Sequence, residues 1–264
     1  MLNKPDLLII SIAYLHIRMP RQLSNPAIIQ ITQLKHSFGK QQVIDGFDLD
    51  VRQTDIYGFL GRNGAGKTTI IEIVMGLINA DEGKVQLFNS NANPITLSQK
   101  SRIGYVPQDQ NFYSWMTANQ LAEFVGAFYP VWDHSYFKDC LKSFDIDPNK
   151  KVEHLSGGTK VKLSLALAMA HQPELLILDE PTAGLDAIAR REFLDIVRNL
   201  SHQNEVTLFF SSHLVHEIEE VSNRIGIIDN GQCCFQGAPE FLKKSVRQLI
   251  PDQYIGKITP FSIL

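Results

Sequence analysis

Long hydrophobic runs, cysteine pairs and an excess of either charge are what this 264-residue sequence lacks, and each absence removes a class of function. Its N-terminal apolar stretch, Leu7 to Leu15, is broken by Ser11 and followed by His16 and Arg18. A bilayer-spanning helix needs about 20 such residues, so no membrane span is expected there. No small-residue cleavage site follows the stretch, which argues against a signal peptide. The cysteines are Cys140, Cys233 and Cys234; they form no C-x-x-C pair, and adjacent residues are poorly placed to bridge, so free thiols in a reducing cytosol are expected. Lys plus Arg is 25 against 28 Asp plus Glu, a net charge of −3, so there is no basic field to attract a nucleic acid and none is expected as partner. Repeats and low-complexity tracts are also missing. The length suffices for one large α/β domain, or for a catalytic domain with a smaller lobe.

What is present is organised around Gly61-Arg62-Asn63-Gly64-Ala65-Gly66-Lys67-Thr68-Thr69, a match to G-x-x-x-x-G-K-[ST]. A strand-length apolar run, Ile56 to Leu60, precedes it, and Ile70, Ile71, Ile73, Val74 and Leu77 follow at helical spacing. A triphosphate crowds negative oxygens together, so its site needs converging N–H donors unobstructed by side chains. Glycines permit that approach, and the amides of Asn63 to Thr68 can wrap the β-phosphate. The following helix adds its positive end, Lys67 a full charge, and Thr68 a hydroxyl for Mg²⁺.

Around this loop the chain reads as α/β: a P-loop NTPase with a mainly parallel sheet core, an antiparallel β subdomain and an inserted helical subdomain. Ile28 to Leu34 and Phe47 to Val51 alternate apolar and polar, as half-exposed antiparallel strands do, with a turn at Gly46. His36 to Lys40 between them reads as an exposed loop. Its aromatic, Phe38, suits core packing on composition, with stacking on a purine base as the alternative. Ile103 to Val106 is a strand stopped by Pro107, which leaves Gln108 where a carboxamide can reach a metal-bound water and a moving loop. Thr117 to Tyr129 and Tyr136 to Phe144 carry apolar residues at helical spacing within a helical subdomain of about 109–165.

Leu155-Ser156-Gly157-Gly158-Thr159 then opens a nearly continuously apolar helix. A serine and two glycines at a helix start offer an anion a hydroxyl, bare amides and a dipole. Leu175 to Leu178 reads as a strand buried on both faces of a parallel sheet, and Asp179 and Glu180 end it where such sheets bind ligands. There Asp179 can hold Mg²⁺ and Glu180 can polarise an attacking water. Ala183 to Asp186 caps the helix Ala187 to Leu200. Val206 to Phe210 is another buried strand, and His213 beyond it can donate to a γ-phosphate. Asp229-Asn230-Gly231 turns a closing hairpin.

This order of pieces resembles the ATP-binding subunit of ABC transporters over roughly residues 28 to 247. The resemblance implies an ATPase using ATP and Mg²⁺, with nucleotide sandwiched between two such subunits, so that Ser156, Gly157 and Gly158 of one face the γ-phosphate held by Lys67 of the other. It also implies that Phe38 stacks on adenine, that Gly61, Asn63, Gly64, Ala65, Gly66, Lys67, Thr68 and Thr69 bind the phosphates, and that Thr68, Gln108 and Asp179 serve the metal. Glu180 would be the catalytic base, His213 the γ-phosphate sensor, Gln108 the link to the membrane partner, and Asp186 part of the loop joining the two sites. Thr159 departs from the glutamine usual in the family's signature. The implied partners are a separate transmembrane permease subunit and a second ATP-binding subunit, at the cytoplasmic face of the cell membrane. Phe128 to Asp133 and the short layout are similar to bacterial subunits serving small exporters or permeases.

The domain limits expected are an extension of unknown role at 1–27, the ATP-binding domain at 28–247 and a tail at 248–264. The competing class is a soluble ABC-type ATPase of assembly, translation or repair; the paired cassettes or long coiled coil usual in the last two are missing. Asn111-Phe112-Tyr113-Ser114-Trp115-Met116 bears on this choice. Its large apolar residues would form a groove for a membrane subunit's cytoplasmic helix, or else pack inside the helical lobe.

Overall fold

The computed structural model describes residues 25–203 and 206–241. All but the last three residues of the expected extension, and the whole expected tail, lie outside the described residues. Those described divide into two compact units, the chain passing from the first to the second after Pro94 and returning after Phe209. In chain order come β1 (Ala27–Phe38), β2 (Gln41–Arg52), β3 (Ile56–Gly61), α1 (Lys67–Val74), β4 (Glu82–Leu87) and the short β5 (Ser90–Asn91). The second unit adds α2 (Leu97–Lys100), β6 (Ile103–Val106), α3 (Ala118–Gly126), α4 (His134–Ser143), α5 (Gly157–Met169), β7 (Leu175–Asp179) and α6 (Ala187–Gln203). Then β8 (Thr207–Ser212) leads back to α7 (Val215–Val221), β9 (Arg224–Asp229) and β10 (Gln232–Gly237).

In the first unit an antiparallel sheet has the order β2-β1-β4-β5. Period-2 alternation explains its faces: Ile29 and Ile31 are buried, Gln30 and Thr32 exposed. The hairpin differs from the expectation of a loop at His36–Lys40 and a turn at Gly46. β1 instead runs on to Phe38, the turn is made at Gly39 with φ +62°, and Gly46, at φ +65°, lies inside β2 as a bulge. There Leu34 faces Phe47 and Lys35 faces Asp45, so Gly46 is the extra residue. Glycine suits both places because positive φ costs it nothing.

The other strands of this unit follow the order β10-β9-β3-β8, with β3 parallel to β9. All six residues of β3 are buried, as in a sheet covered on both faces. Asn230 and Gly231, both at positive φ, make the turn from β9 to β10 that was expected of them. Polar groups join β2, β3, β9 and β10: Arg224 binds Asp55 at 2.7 Å and Asp50 at 3.3 Å, the Tyr57 hydroxyl donates to Gln236 at 2.9 Å, and Gln236 donates to Asp50.

In the second unit β6 and β7 pair in parallel, with β8 next to β7. Leu175 to Leu178 are fully buried, as the four-residue apolar run required. The helical lobe packs Leu121, Phe137, Leu141, Val152, Leu163 and Ala166 in one core. Its helices start where capping chemistry allows. Thr117 and Gln120 form a reciprocal capping box on α3, and Asp133 accepts the Tyr136 N–H at the start of α4. The resulting fold is α/β, with parallel strand pairing, an antiparallel sheet and a helical lobe.

Candidate functional site

The phosphate loop belongs to the first unit. β3 delivers Gly61, the turn runs through Gly64 at φ +80° and Gly66 at φ +106°, and α1 starts at Lys67. A Cβ at Gly61 would come within 2.6 Å of Ile228 Cγ2, and one at Gly66 within 2.6 Å of Ile44 Cδ1. Packing therefore demands glycine at both. At Gly64 the space is open and the backbone angle alone sets the requirement. The helix start at Gly66 carries no side-chain cap, which leaves the positive end of α1 to the loop.

Lys67 is buried, and its ammonium donates to the carbonyl oxygens of Gly61 at 2.7 Å and Arg62 at 3.1 Å. The cation thus lies across the loop it must serve. Asn63, Gly64 and Thr68 are exposed, while Ala65 and Thr69 are buried. Backbone amides, an ammonium and the accessible Thr68 hydroxyl are therefore gathered on one loop, the set of groups that a phosphate and Mg²⁺ would need.

Phe38, at the end of β1, is 53% exposed, which corrects the core packing its composition suggested. Its ring stands edge-on to His36, with centroids 4.7 Å apart and planes at 87°. His36 is buried and neither ring nitrogen makes a hydrogen bond; Asp81 lies 3.7 Å from Nδ1 and also accepts the Ser37 N–H at 2.8 Å. Sequence reasoning missed His36 as the support of Phe38. Its position two before the aromatic, on the same strand face, was the available signal. His213, exposed beyond β8, completes the first unit's candidates.

The second unit carries the carboxylates. Asp179, 1% exposed, ends β7, and Glu180 is buried at φ +42°. A non-glycine residue in the left-handed region costs of order 1–3 kcal/mol and persists where its surroundings impose it. The turn is closed by the Ala183 N–H to Glu180 O at 3.0 Å and the Leu185 N–H to Thr182 O at 3.2 Å. Asp186 then caps α6, accepting the N–H groups of Ile188 and Ala189, each at 2.9 Å.

Gln108 is exposed after Pro107, as its place at the strand end implied. Gln110, which was overlooked, braces that bend by donating to Pro107 O at 2.7 Å. Ser156 is exposed at the start of α5; its Oγ accepts the Thr159 N–H at 3.2 Å and lies 2.8 Å from the Thr159 hydroxyl. The space above Gly157 is open, whereas a Cβ at Gly158 would press on Ala189 at 3.1 Å.

The stretch from Asn111 to Met116 divides. Phe112 and Met116 pack against the lobe core, while Tyr113 and Trp115 are 53% and 58% exposed. Tyr113 meets Phe124 at 5.6 Å and Phe124 meets Phe128 at 5.5 Å, so the exposed rings continue along α3.

Comparison with known proteins bears on the family of the chain. The family model described as ABC transporter matches residues 44–183. The bacitracin transport ATP-binding protein BcrA of Bacillus licheniformis is 36% identical over 228 residues, 86% of this chain and 74% of that protein. The ABC transporter ATP-binding protein YtrB of Bacillus subtilis is 34% identical over 203 residues, 77% of this chain and 69% of its own. Among solved structures, the dimeric post-hydrolysis state of the ATP-binding cassette MJ0796 bound to ADP and Pi has a TM-score of 0.70 at 21% identity, covering 80% of this chain and 98% of its own. That last likeness concerns the fold.

Proposed function

This chain belongs to the ABC transporter family, and on that footing we propose that it is the ATP-binding and ATP-hydrolysing subunit of a membrane transporter whose transmembrane domain is a separate chain. The observation that carries the reading is the loop Gly61–Thr69, with its buried ammonium, its sterically required glycines and its uncapped helix start. BcrA and YtrB, named as ATP-binding proteins of transport, support it over a soluble ATPase of assembly, translation or repair.

The roles follow from the chemistry of each group. Gly61, Asn63, Gly64, Ala65, Gly66 and Thr69 form the loop that wraps the phosphates, Lys67 neutralises the β/γ oxygens, and Phe38 stacks on adenine. Thr68, Asp179 and Gln108 would hold Mg²⁺, which would supply charge neutralisation to the phosphates. Glu180 takes a proton from the attacking water as its oxygen bonds the γ-phosphorus and the bond to the β–γ bridging oxygen breaks. His213 donates to the γ-phosphate, and Gln108 passes the state of the site to the membrane subunit.

Ser156, Gly157 and Gly158 close the site of a second ATP-binding subunit; the similar cassette MJ0796, bound to ADP and Pi, is itself dimeric. The transmembrane permease then holds the pair at the cytoplasmic face of the membrane. No helix among the described residues is long and apolar enough to cross a bilayer. We assign residues 28–247 to this ATP-binding domain, with the helical subdomain at about 109–165.

Two substitutions test the reading. Lys67→Ala should abolish ATP binding, because Lys67 contacts phosphate before any chemistry. Glu180→Gln should bind ATP, stall before hydrolysis and accumulate as an ATP-dependent dimer on size-exclusion chromatography. A Glu180→Gln protein that stays monomeric with MgATP, both alone and with its permease, would sink the sandwich arrangement.

A further inference from the structure

Two hydrogen bonds, one buried and one partly buried, close the turn that carries His213. β8 ends at Ser212 and α7 starts at Val215, so His213 and Leu214 make the connection. Ser212 and Glu217 are 2% and 0% exposed, whereas His213 between them in sequence is exposed. The Leu214 N–H donates to Ser212 Oγ at 3.0 Å, and the Ser212 hydroxyl donates to Glu217 Oε2 at 2.6 Å. These bonds straddle His213. Both engage Ser212, the residue before it, and one also engages Leu214, the residue after it, so the backbone presenting the imidazole is restrained on both sides.

A hydroxyl-to-carboxylate bond of this length is of the strong, charge-assisted kind, and burial strengthens it further. The helix supplying Glu217 is itself held. Gly58 of β3 packs so tightly on α7 and its end that a Cβ there would overlap both Ile218 and Ser222. Gly58 lies on the strand that delivers Gly61, so the clamp ties the His213 turn to the strand feeding the phosphate loop.

We infer that Glu217 is a positioning residue for His213, acting through the Ser212 hydroxyl, and the inference rests on the proposed role of His213 at the γ-phosphate. Glu217 moves no proton and touches no nucleotide. It fixes the direction from which the imidazole N–H meets a phosphate oxygen, and a misplacement of about 1 Å there can cost on the order of 100-fold in rate.

The test is steady-state MgATP turnover by the purified full-length chain, with melting temperature measured alongside. Glu217→Ala and Ser212→Ala should each lower kcat at least tenfold while KM for ATP stays within twofold. Glu217→Gln, whose amide oxygen still accepts from Ser212, should recover most of the loss. In a His213→Ala background, Glu217→Ala should lower the residual rate by less than twofold, since the residue it positions is gone. An equal fall in both backgrounds would overturn the inference, because it would mean that Glu217 only supports the fold. So would a slow His213→Ala beside a Glu217→Ala of normal rate. A His213→Ala that turns over like the wild type would overturn the role of His213, and this inference with it. Should Glu217→Ala not fold, Ser212→Ala, which removes one oxygen, carries the same comparison.

Discussion

Tyr129 lies face to face with His171, their ring centroids 4.0 Å apart and their planes 18° from parallel. His171 is buried, and its Nε2 is 3.1 Å from the carbonyl oxygen of Ile103, the first residue of β6. That strand leads directly to Gln108. The stacked pair therefore anchors the start of β6, the end opposite the one that Gln108 follows.

Burial pushes His171 down to about 4, well below the usual histidine value near 6.5. Protons then bind the unfolded chain more readily than the folded one, so this stability is complete above about pH 6.5 and is lost as pH falls towards 4. The expected loss between pH 7 and pH 4.5 is about 2 kcal/mol. His171→Phe keeps a stacking ring but cannot titrate, so its stability in urea melts should fall less steeply over that range. Parallel curves for the two proteins would show that His171 is not held neutral.

Arg224 should be the costliest charged residue to remove from the first unit. Its guanidinium pairs with Asp55 and Asp50 and lies 5.7 Å from the centre of the Tyr57 ring. Replacing it with Leu leaves the partly buried Asp55 carboxylate without its cation, while Asp50 keeps Arg52 at 3.2 Å. A loss of about 2–4 kcal/mol is expected, at the lower end because the Asp50 side chain is partly open to water. Arg224→Leu combined with Asp55→Asn should recover part of it in a double-mutant cycle.

The aromatics after Gln108 should separate binding from stability. Tyr113→Ala with Trp115→Ala removes two exposed rings, so folding should change by no more than about 0.5 kcal/mol, as is usual for surface substitutions. Pull-down of the membrane subunit should weaken by about 2 kcal/mol or more if these rings are its anchors. Phe112→Ala, which removes a half-buried ring packed against the lobe core, should instead cost about 1–2 kcal/mol of stability. Full retention of the membrane subunit by the Tyr113/Trp115 double variant would remove the patch from the interface.

Several elements were legible because their cause is local. Four successive apolar residues, Leu175 to Leu178, specify a strand covered on both faces. Asn230-Gly231 specifies a hairpin, and Thr117 with Gln120 specifies a helix start. The strand, loop and helix around Lys67 were legible for the same reason: glycines and a lysine stand at fixed spacing within one turn. By contrast, Gly46 looked like a turn because glycine permits positive φ in turns and bulges alike. Only the pairing of its neighbours Phe47 and Asp45 with Leu34 and Lys35 on β1 decides between them.

The sequence by itself determined the chemical inventory and the elements that present it: strand, loop and helix around Lys67, acids at the end of β7, a serine and glycines at the start of α5, and His213 beyond β8. Only the tertiary structure decided which polar groups are buried and what they meet. Phe38 is exposed because His36 and Asp81 support it from within the fold. Glu217 is buried where Ser212 binds it across the His213 turn, and His171 is pushed down by burial in a place where Tyr129, 42 positions earlier in the chain, stacks on its ring. The physical reason is that periodicity encodes which face an apolar side chain prefers. A buried polar group gains nothing from its own position until a distant partner arrives to offset its lost hydration.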